Sequence, residues 1–164
     1  MVAFCSVKQN NAQQMSDIDQ ISQKILRELS KDGRISNLEL AGRVGLSPSA
    51  CLRRVQDLER TGVISGYRAI LNQSKRGINF VAYVAVGLGD HSKQSQEAFE
   101  RSIARAHQVT ECHNITGEKE YLLRVEVEDL AAYKVFHTDI LGTLAQVNAI
   151  TSYVVMGSPK DERA

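Results

Sequence analysis

The sequence has no tryptophan, and aromatic residues make up only 5% of it. Proteins that grip single-stranded nucleic acid stack bases on aromatic side chains, so this composition argues against that mode. Cysteine is sparse: Cys5, Cys51 and Cys112 are scattered, with no CxxC spacing. Such an odd set reads as reduced thiols in a cytosolic protein, not as a disulfide framework. Cys112-His113 resembles the start of a metal cluster, but no second Cys/His pair stands at ligand spacing, so no metal site is expected. No apolar run approaches the roughly 20 residues that a membrane-spanning helix requires, and no signal peptide is evident. A Ser/His/Asp constellation, a Walker loop and a nucleotide-binding glycine motif are all missing, which argues against an enzyme.

What is present is ordinary globular material: 164 residues, 43% hydrophobic and 24% charged, enough for one medium domain or two small ones. The net charge of +1 hides an asymmetry. Up to Asn72, ten Lys/Arg face seven Asp/Glu; from Gln73 onward, ten face twelve. A mildly basic first half joined to a mildly acidic second half fits a DNA-binding module attached to something else. The excess is small, so affinity for DNA should come from several copies acting together.

Residues 1–15 are polar and amide-rich after the first few positions, and are expected to be a disordered leader. A first helix is expected from a cap at Asp19 to about Lys31, with Ile21, Ile25 and Leu29 as its apolar stripe. The stretch DGRISNLELAGRVGLSPSACLRRVQDLERTGVISG follows, and it carries two short helical patterns around a Gly-Leu-Ser-Pro corner. Ser36 and Glu39 form a capping box; Leu38, Ala41 and Val44 share a face; Gly45 can take the positive φ that ends a helix. Ser47 caps the next helix and Pro48 occupies its first position. There Cys51, Val55 and Leu58 mark the buried stripe. The opposite side presents Ser49, Arg53, Gln56, Asp57 and Arg60, with Ala50 and Arg54 on its flanks.

A braced helix of small residues, an amide and arginines suits the major groove: arginine can donate two bonds to guanine, and Gln pairs with adenine. The candidate DNA-contacting set is therefore Ser47, Ser49, Ala50, Arg53, Arg54, Gln56 and Asp57, with Arg34 at the preceding corner. An ordinary solvated helix in a three-helix bundle would show the same pattern.

VISGYRAILN, rich in β-formers, is expected to leave this head as a strand, and NQSKRG to be a linker with the domain boundary near residues 72–77. The second half reads as strand, helix, strand, strand, helix, strand. INFVAYVAVGL is apolar on both faces. A helix from about Ser95 to His107 turns Phe99, Ile103 and Ala106 inward. VTECHNIT and YLLRVEVE form a hairpin about Gly117-Glu118-Lys119. Asp129 caps a longer helix carrying Leu130, Tyr133, Phe136, His137, Ile140, Leu141 and Leu144, and AITSYVVM closes the sheet. His107 and His137 are expected to be packed. This order is the split βαβ arrangement, an antiparallel sheet with both helices on one side. Its other face would be bare and apolar, an association surface, so a dimer packed sheet against sheet is expected.

Together these residues resemble the Lrp/AsnC (feast/famine) family of transcription regulators, over nearly all of the chain from Ile18 to Met156. The likeness rests on KDGRISN, RVGLSP, LRRV and the GY that follows in the head. In the second half it rests on ECH, ITG, YLLRV and SYVVM. The resemblance implies an α+β protein: a three-helix, winged helix-turn-helix head over residues 16–66 and a strand and linker over 67–77. A ferredoxin-like βαββαβ (RAM) domain for effector binding and oligomerisation would span 78–157, with a polar tail over 158–164. It further implies double-stranded DNA as partner and a homodimer gathering into tetramers or octamers. The strand after the head would pair with its counterpart in a second copy. An amino acid would be the effector, with no cofactor, no metal and no membrane, in the cytoplasm. The family's ligand site falls on Thr116, Gly117, Glu118, Glu120 and Tyr121. Backbone amides at Gly117 would meet a carboxylate, and Glu118 or Glu120 an ammonium. This sequence departs from the family pattern in carrying Glu120 where aspartate is usual. The same residues also suit an amino-acid-sensing regulatory or enzymatic ferredoxin-like protein without specific DNA readout.

Overall fold

The computed structural model describes residues 18–161; the expected leader and the end of the polar tail lie outside them. The chain divides into two compact units between Ala69 and Ile70.

The first unit is three helices. α1 (Gln20–Lys31) begins where the Asp19 carboxylate accepts the Ser22 amide, satisfying one of the donors that a helix start leaves open. α2 (Asn37–Val44) is capped by Ser36, whose hydroxyl accepts the Glu39 amide. The reciprocal half of the expected capping box gives way to a stronger attraction: Glu39 reaches Arg43 one turn on, at 2.6 Å. Gly45, at φ 77°, ends α2 in the left-handed region. α3 (Pro48–Arg60) starts from Ser47, which caps the Ala50 amide. Ile25, Leu40, Ala41, Val44, Cys51 and Leu58 form the core between them, with Val55 packed at its edge. Burying Ile25 alone is worth about 2 kcal/mol. Leu38, expected inside, is 73% exposed. The buried arc of α2 runs through Leu40, Ala41 and Val44, and Leu38 lies more than 100° around the helix from its centre, by the roughly 100° step per residue.

Residues 63–72 pair with no strand among the described residues of this chain; the partner expected for them is a second copy. The Ile64 amide instead closes the end of α3 on Leu58 O, and the Tyr67 hydroxyl donates to Glu59. Residues 74–76, expected as linker, make one 3₁₀ turn.

The second unit is a four-stranded antiparallel sheet in the order β2-β3-β1-β4. Its strands are β1 (Phe80–Leu88), β2 (Val109–Asn114), β3 (Tyr121–Val127) and β4 (Val147–Val154). β1 lies between β3, with Tyr83 opposite Arg124, and β4, with Tyr83 opposite Tyr153. α4 (Lys93–Ile103) and α5 (Leu130–Val135) complete the split βαβ order. Ala82, Val84, Val86 and Leu88 of β1 pack with Phe99, Ile103, Leu123, Val125, Phe136 and Leu141 in one core.

Several expectations shift. α4 starts two residues earlier than expected, after a Ser92 cap, and ends at Ile103, leaving His107 exposed. α5 is short and runs into a wider π-helical turn (Phe136–Ile140) and a 3₁₀ turn (Leu141–Thr143). That change of pitch keeps Phe136 and Leu141, five positions apart, both fully buried. Leu130 at the head of α5 stays exposed. The open face of the sheet is not uniformly apolar either. Val81, Tyr83 and Ala85 lie along its middle, but Arg124 carries charge across it, 3.0 Å from Glu126 and 3.6 Å from both Glu111 and Asp161.

Candidate functional site

α2 and α3 meet at the Gly45–Ser47 corner, and two polar bonds fix how α3 leaves it. Ser47 caps α3, and the Asn37 side-chain amide, at the start of α2, donates to Pro48 O at 2.8 Å. The exposed side of α3 carries Ser49, Arg53, Gln56 and Asp57, in line with the sequence pattern. Ser47 is also exposed and its hydroxyl lies 3.3 Å from that of Ser49, while Ala50 is half-buried at the flank. Arg34, just ahead of α2, is exposed, and its amide donates to the Asp32 carboxylate. Small side chains at the start of α3 and long donors one to two turns on form a convex, solvent-facing surface. A groove edge could approach its N-terminal end without steric hindrance from the side chains there.

Two members of the expected set are otherwise engaged. Asp57 pairs with Arg60 at 3.1 Å on the same helix. Arg54 is half-buried, its Nη1 donating to Asp19 Oδ2 at 2.6 Å and to Ser22 Oγ at 3.2 Å. The amide and hydroxyl bonds from Ser22, then Arg54 itself, hold the Asp19 carboxyl down at about 2.

The second candidate surface is the turn between β2 and β3. Thr116, Gly117 and Glu118 are exposed at its tip, and Gly117 has φ 145° with open space around its Cα. Glu118 pairs with Lys119 at 2.8 Å, and that bond holds its carboxyl below the usual range. Glu120 faces the other way. Its Oε2 accepts the Leu88 amide at 2.7 Å and its Oε1 lies 3.1 Å from His91 Nδ1, so this carboxylate ties the hairpin to the end of β1. The extra methylene of Glu over Asp supplies the reach. Tyr121 is a core residue, 1% exposed, its ring tilted against that of Phe99 with centroids 4.6 Å apart and its hydroxyl donating to Glu100. Burial, with that bond, pushes its phenol up to about 12.

The five expected effector residues thus fall into an exposed tip, a tie and a core anchor. His91 and Leu88 were missed, since neither carries a local motif and both reach Glu120 across about 30 positions. Beyond Tyr121, a cleft of about 370 Å³ opens between α4 and β2, lined in part by Glu100, Cys112 and Asn114. Cys112 and His113 are both exposed. Although the residue as a whole is exposed, partial desolvation of its sulfur, then the charge of Glu100, push the Cys112 thiol up, away from reactive thiolate. His137 is half-buried, its ring 6.2 Å from that of Tyr133. Among the described residues no helix is long and apolar enough to cross a membrane, and no group of three or more metal-ligating side chains is clustered.

This geometry has close counterparts. Residues 81–164 match the Lrp/AsnC ligand binding domain, and residues 18–65 match a winged helix-turn-helix DNA-binding domain. The leucine-responsive regulatory proteins of Escherichia coli K12 and Klebsiella pneumoniae are each 42% identical over 144 residues, covering 88% of this chain and 88% of theirs. A transcriptional regulator of Neisseria meningitidis, solved as its L-Met complex, superposes with a TM-score of 0.84 at 34% identity, over 87% of this chain and 92% of that one. A feast or famine regulatory protein of M. tuberculosis, complexed with L-methionine, gives 0.80 at 33% identity, over 90% and 97%.

Proposed function

The chain belongs to the Lrp/AsnC family, and from that premise we propose that it is a DNA-binding transcriptional regulator whose activity responds to a small molecule, an amino acid. The observation that carries this is the exposed side of α3. It is a braced helix presenting Ser49, Arg53 and Gln56 to solvent while Cys51 and Leu58 bury the other side.

Arg53 and Gln56 are the base readers; Ser47, Ser49 and Ala50 let the helix start approach the backbone; Asp57 and Arg34 border the footprint. The protein is not an enzyme, and it works on DNA in the cytoplasm. It acts as a homodimer, with tetramers or octamers built from dimers. Val81, Tyr83 and Tyr153 on the open sheet face, together with the exposed Ile70 and Leu71, offer the apolar surface for a second copy. Two heads related by a two-fold axis would meet half-sites about one helical turn apart, roughly 34 Å.

The effector is held at the β2–β3 turn, with Thr116, Gly117 and Glu118 as direct contacts and Glu120 and Tyr121 shaping the loop. The L-methionine complexes of the Neisseria meningitidis and M. tuberculosis relatives support this class of ligand. The head takes residues 16–66 and the effector domain 78–157, with residues 67–77 joining them. Gel-shift titration on a duplex selected from random sequence by the full-length protein tests the DNA function, and a thermal-shift screen over the twenty amino acids tests the effector. A ligand at a hundred times its Kd stabilises by about 2.7 kcal/mol. Equal affinity for selected and random duplexes would refute sequence-specific regulation, and twenty null shifts would refute amino-acid sensing.

A further inference from the structure

Arg54 stands on the flank of α3 beside the proposed base readers, and its charge alone would suit a phosphate. The geometry points elsewhere: we infer that Arg54 is a positioning residue that pins the reading helix to the start of α1, so that its effect on DNA recognition passes through Asp19. This rests on the proposal that α3 reads DNA.

The pin joins residues 35 positions apart. One guanidinium nitrogen, Nη1, donates to Asp19 Oδ2 at 2.6 Å and to Ser22 Oγ at 3.2 Å. The other carboxylate oxygen of Asp19 is already taken by the Ser22 amide at 2.8 Å. Asp19 thus serves two helices at once, capping α1 and anchoring α3. The remaining contacts of α3 with the core, through Cys51, Val55 and Leu58, are apolar. Apolar burial is non-directional and resists rotation about the helix axis poorly. A charge-assisted bond has a preferred direction and resists it well. Asn37 holds the beginning of α3 through Pro48 O, and Arg54 holds it one to two turns further on. Between the two ties the helix has a fixed roll, and recognition geometry tolerates only about 10–20° of error. Swinging Arg54 out to a phosphate would break both of its bonds and leave the Asp19 carboxylate facing the same polyanion. Arg53, its exposed neighbour, pays no such penalty.

The experiment uses the full-length protein, a duplex selected from random sequence by the wild type, and a random duplex. Affinities are taken across a salt series for wild type, Arg54→Ala, Asp19→Asn and the double variant. Asp19→Asn removes the charge but keeps an oxygen to cap the Ser22 amide. The pin predicts that both single variants lower the selected-to-random affinity ratio by a similar factor, roughly 3- to 30-fold. The double variant should be no worse than either, and the salt slope should stay at the wild-type value. A phosphate contact predicts the reverse: Arg54→Ala reduces the slope by about 0.9 on both duplexes, and Asp19→Asn tightens binding. That pattern overturns the inference, as does an Asp19→Asn variant indistinguishable from wild type. Arg54→Met covers the case in which the alanine variant does not fold, since it keeps the apolar stem and loses both donated bonds. A reduced ratio supports the pin, and full retention overturns it. If wild type itself shows no preference for its selected duplex, the DNA-reading proposal fails, and the inference with it.

Discussion

Ser47 is asked to do two things, and two substitutions separate them. Its hydroxyl caps α3 by accepting the Ala50 amide at 3.3 Å, and it stands exposed at the end of the helix proposed to face DNA. Ser47→Ala removes the cap, at a cost of about 1 kcal/mol. In a unit this small that lowers the melting temperature of the head by about 4–8 °C. Ser47→Asp keeps a capping oxygen and adds a charge favoured by the helix dipole, so the head should melt at or above the wild-type temperature. Binding should run in another order. A carboxylate held roughly 6 Å from a phosphate costs about 0.7 kcal/mol at the dielectric of water and about 2.8 kcal/mol at an effective value near 20. The expected loss is therefore roughly threefold to a hundredfold in Kd, shrinking as salt rises. Circular dichroism melts and fluorescence-anisotropy titrations of the three proteins give both orders. Stability should rank Asp at or above Ser and Ser above Ala, while affinity should rank Ser above Ala above Asp. An aspartate variant that binds as tightly as wild type at low salt would show that this helix start does not face the DNA backbone.

Arg53→Ala should relax discrimination at one position of the selected site by about 1–3 kcal/mol, measured on single-base variants of the duplex; a uniform loss on all sequences would assign Arg53 to the backbone. Gly117→Val forces a β-branched residue to φ 145° in open space, so it should distort the turn without clashing. Ligand-induced thermal shift or sedimentation behaviour should change while binding by the head persists, and if both stay at wild-type values the turn has no effector role. Tyr121 gives a pH signature: its folded pKa is raised from 10.0 to about 12, so its contribution to stability is complete below pH 10 and is lost as pH rises towards 12. Phenolate absorbance followed alongside ellipticity should show this tyrosine ionising late and with unfolding of its unit; ionisation of all tyrosines near pH 10 with the fold intact would contradict the burial argument.

What the sequence made legible was local chemistry. Asp19, Ser36, Ser47 and Asp129 each cap the helix expected of them, because a side-chain oxygen and an amide two or three residues on settle the matter without help. The order of strands and helices was equally plain, since the period of apolar residues changes at each junction. Leu38 and Leu130 were misplaced because periodicity gives the direction of a stripe but not its edges. VISGYRAILN has strand composition but no ladder partner within this chain, because its expected partner is a second copy. The candidate sites were legible as positions and much less so as roles. Nothing near Glu120 announces that Leu88 N and His91 will hold its carboxylate, and nothing near Arg54 announces Asp19. Both ties cross about 30 positions or more, and only the folded chain brings the groups together.

The sheet joins the beginning of its unit to the end of it: Ala82 pairs with Val154, 72 positions later. On the ribosome, at about 5–20 residues per second, several seconds therefore pass during which β1 has been made and β4, one of the two strands that flank it, has not. The three helices near the front of the chain face no such delay, since every piece of their core lies within the same forty residues. Synthesis from the amino end thus delivers a finished head well before the platform, with an unpaired, greasy edge waiting for its neighbour.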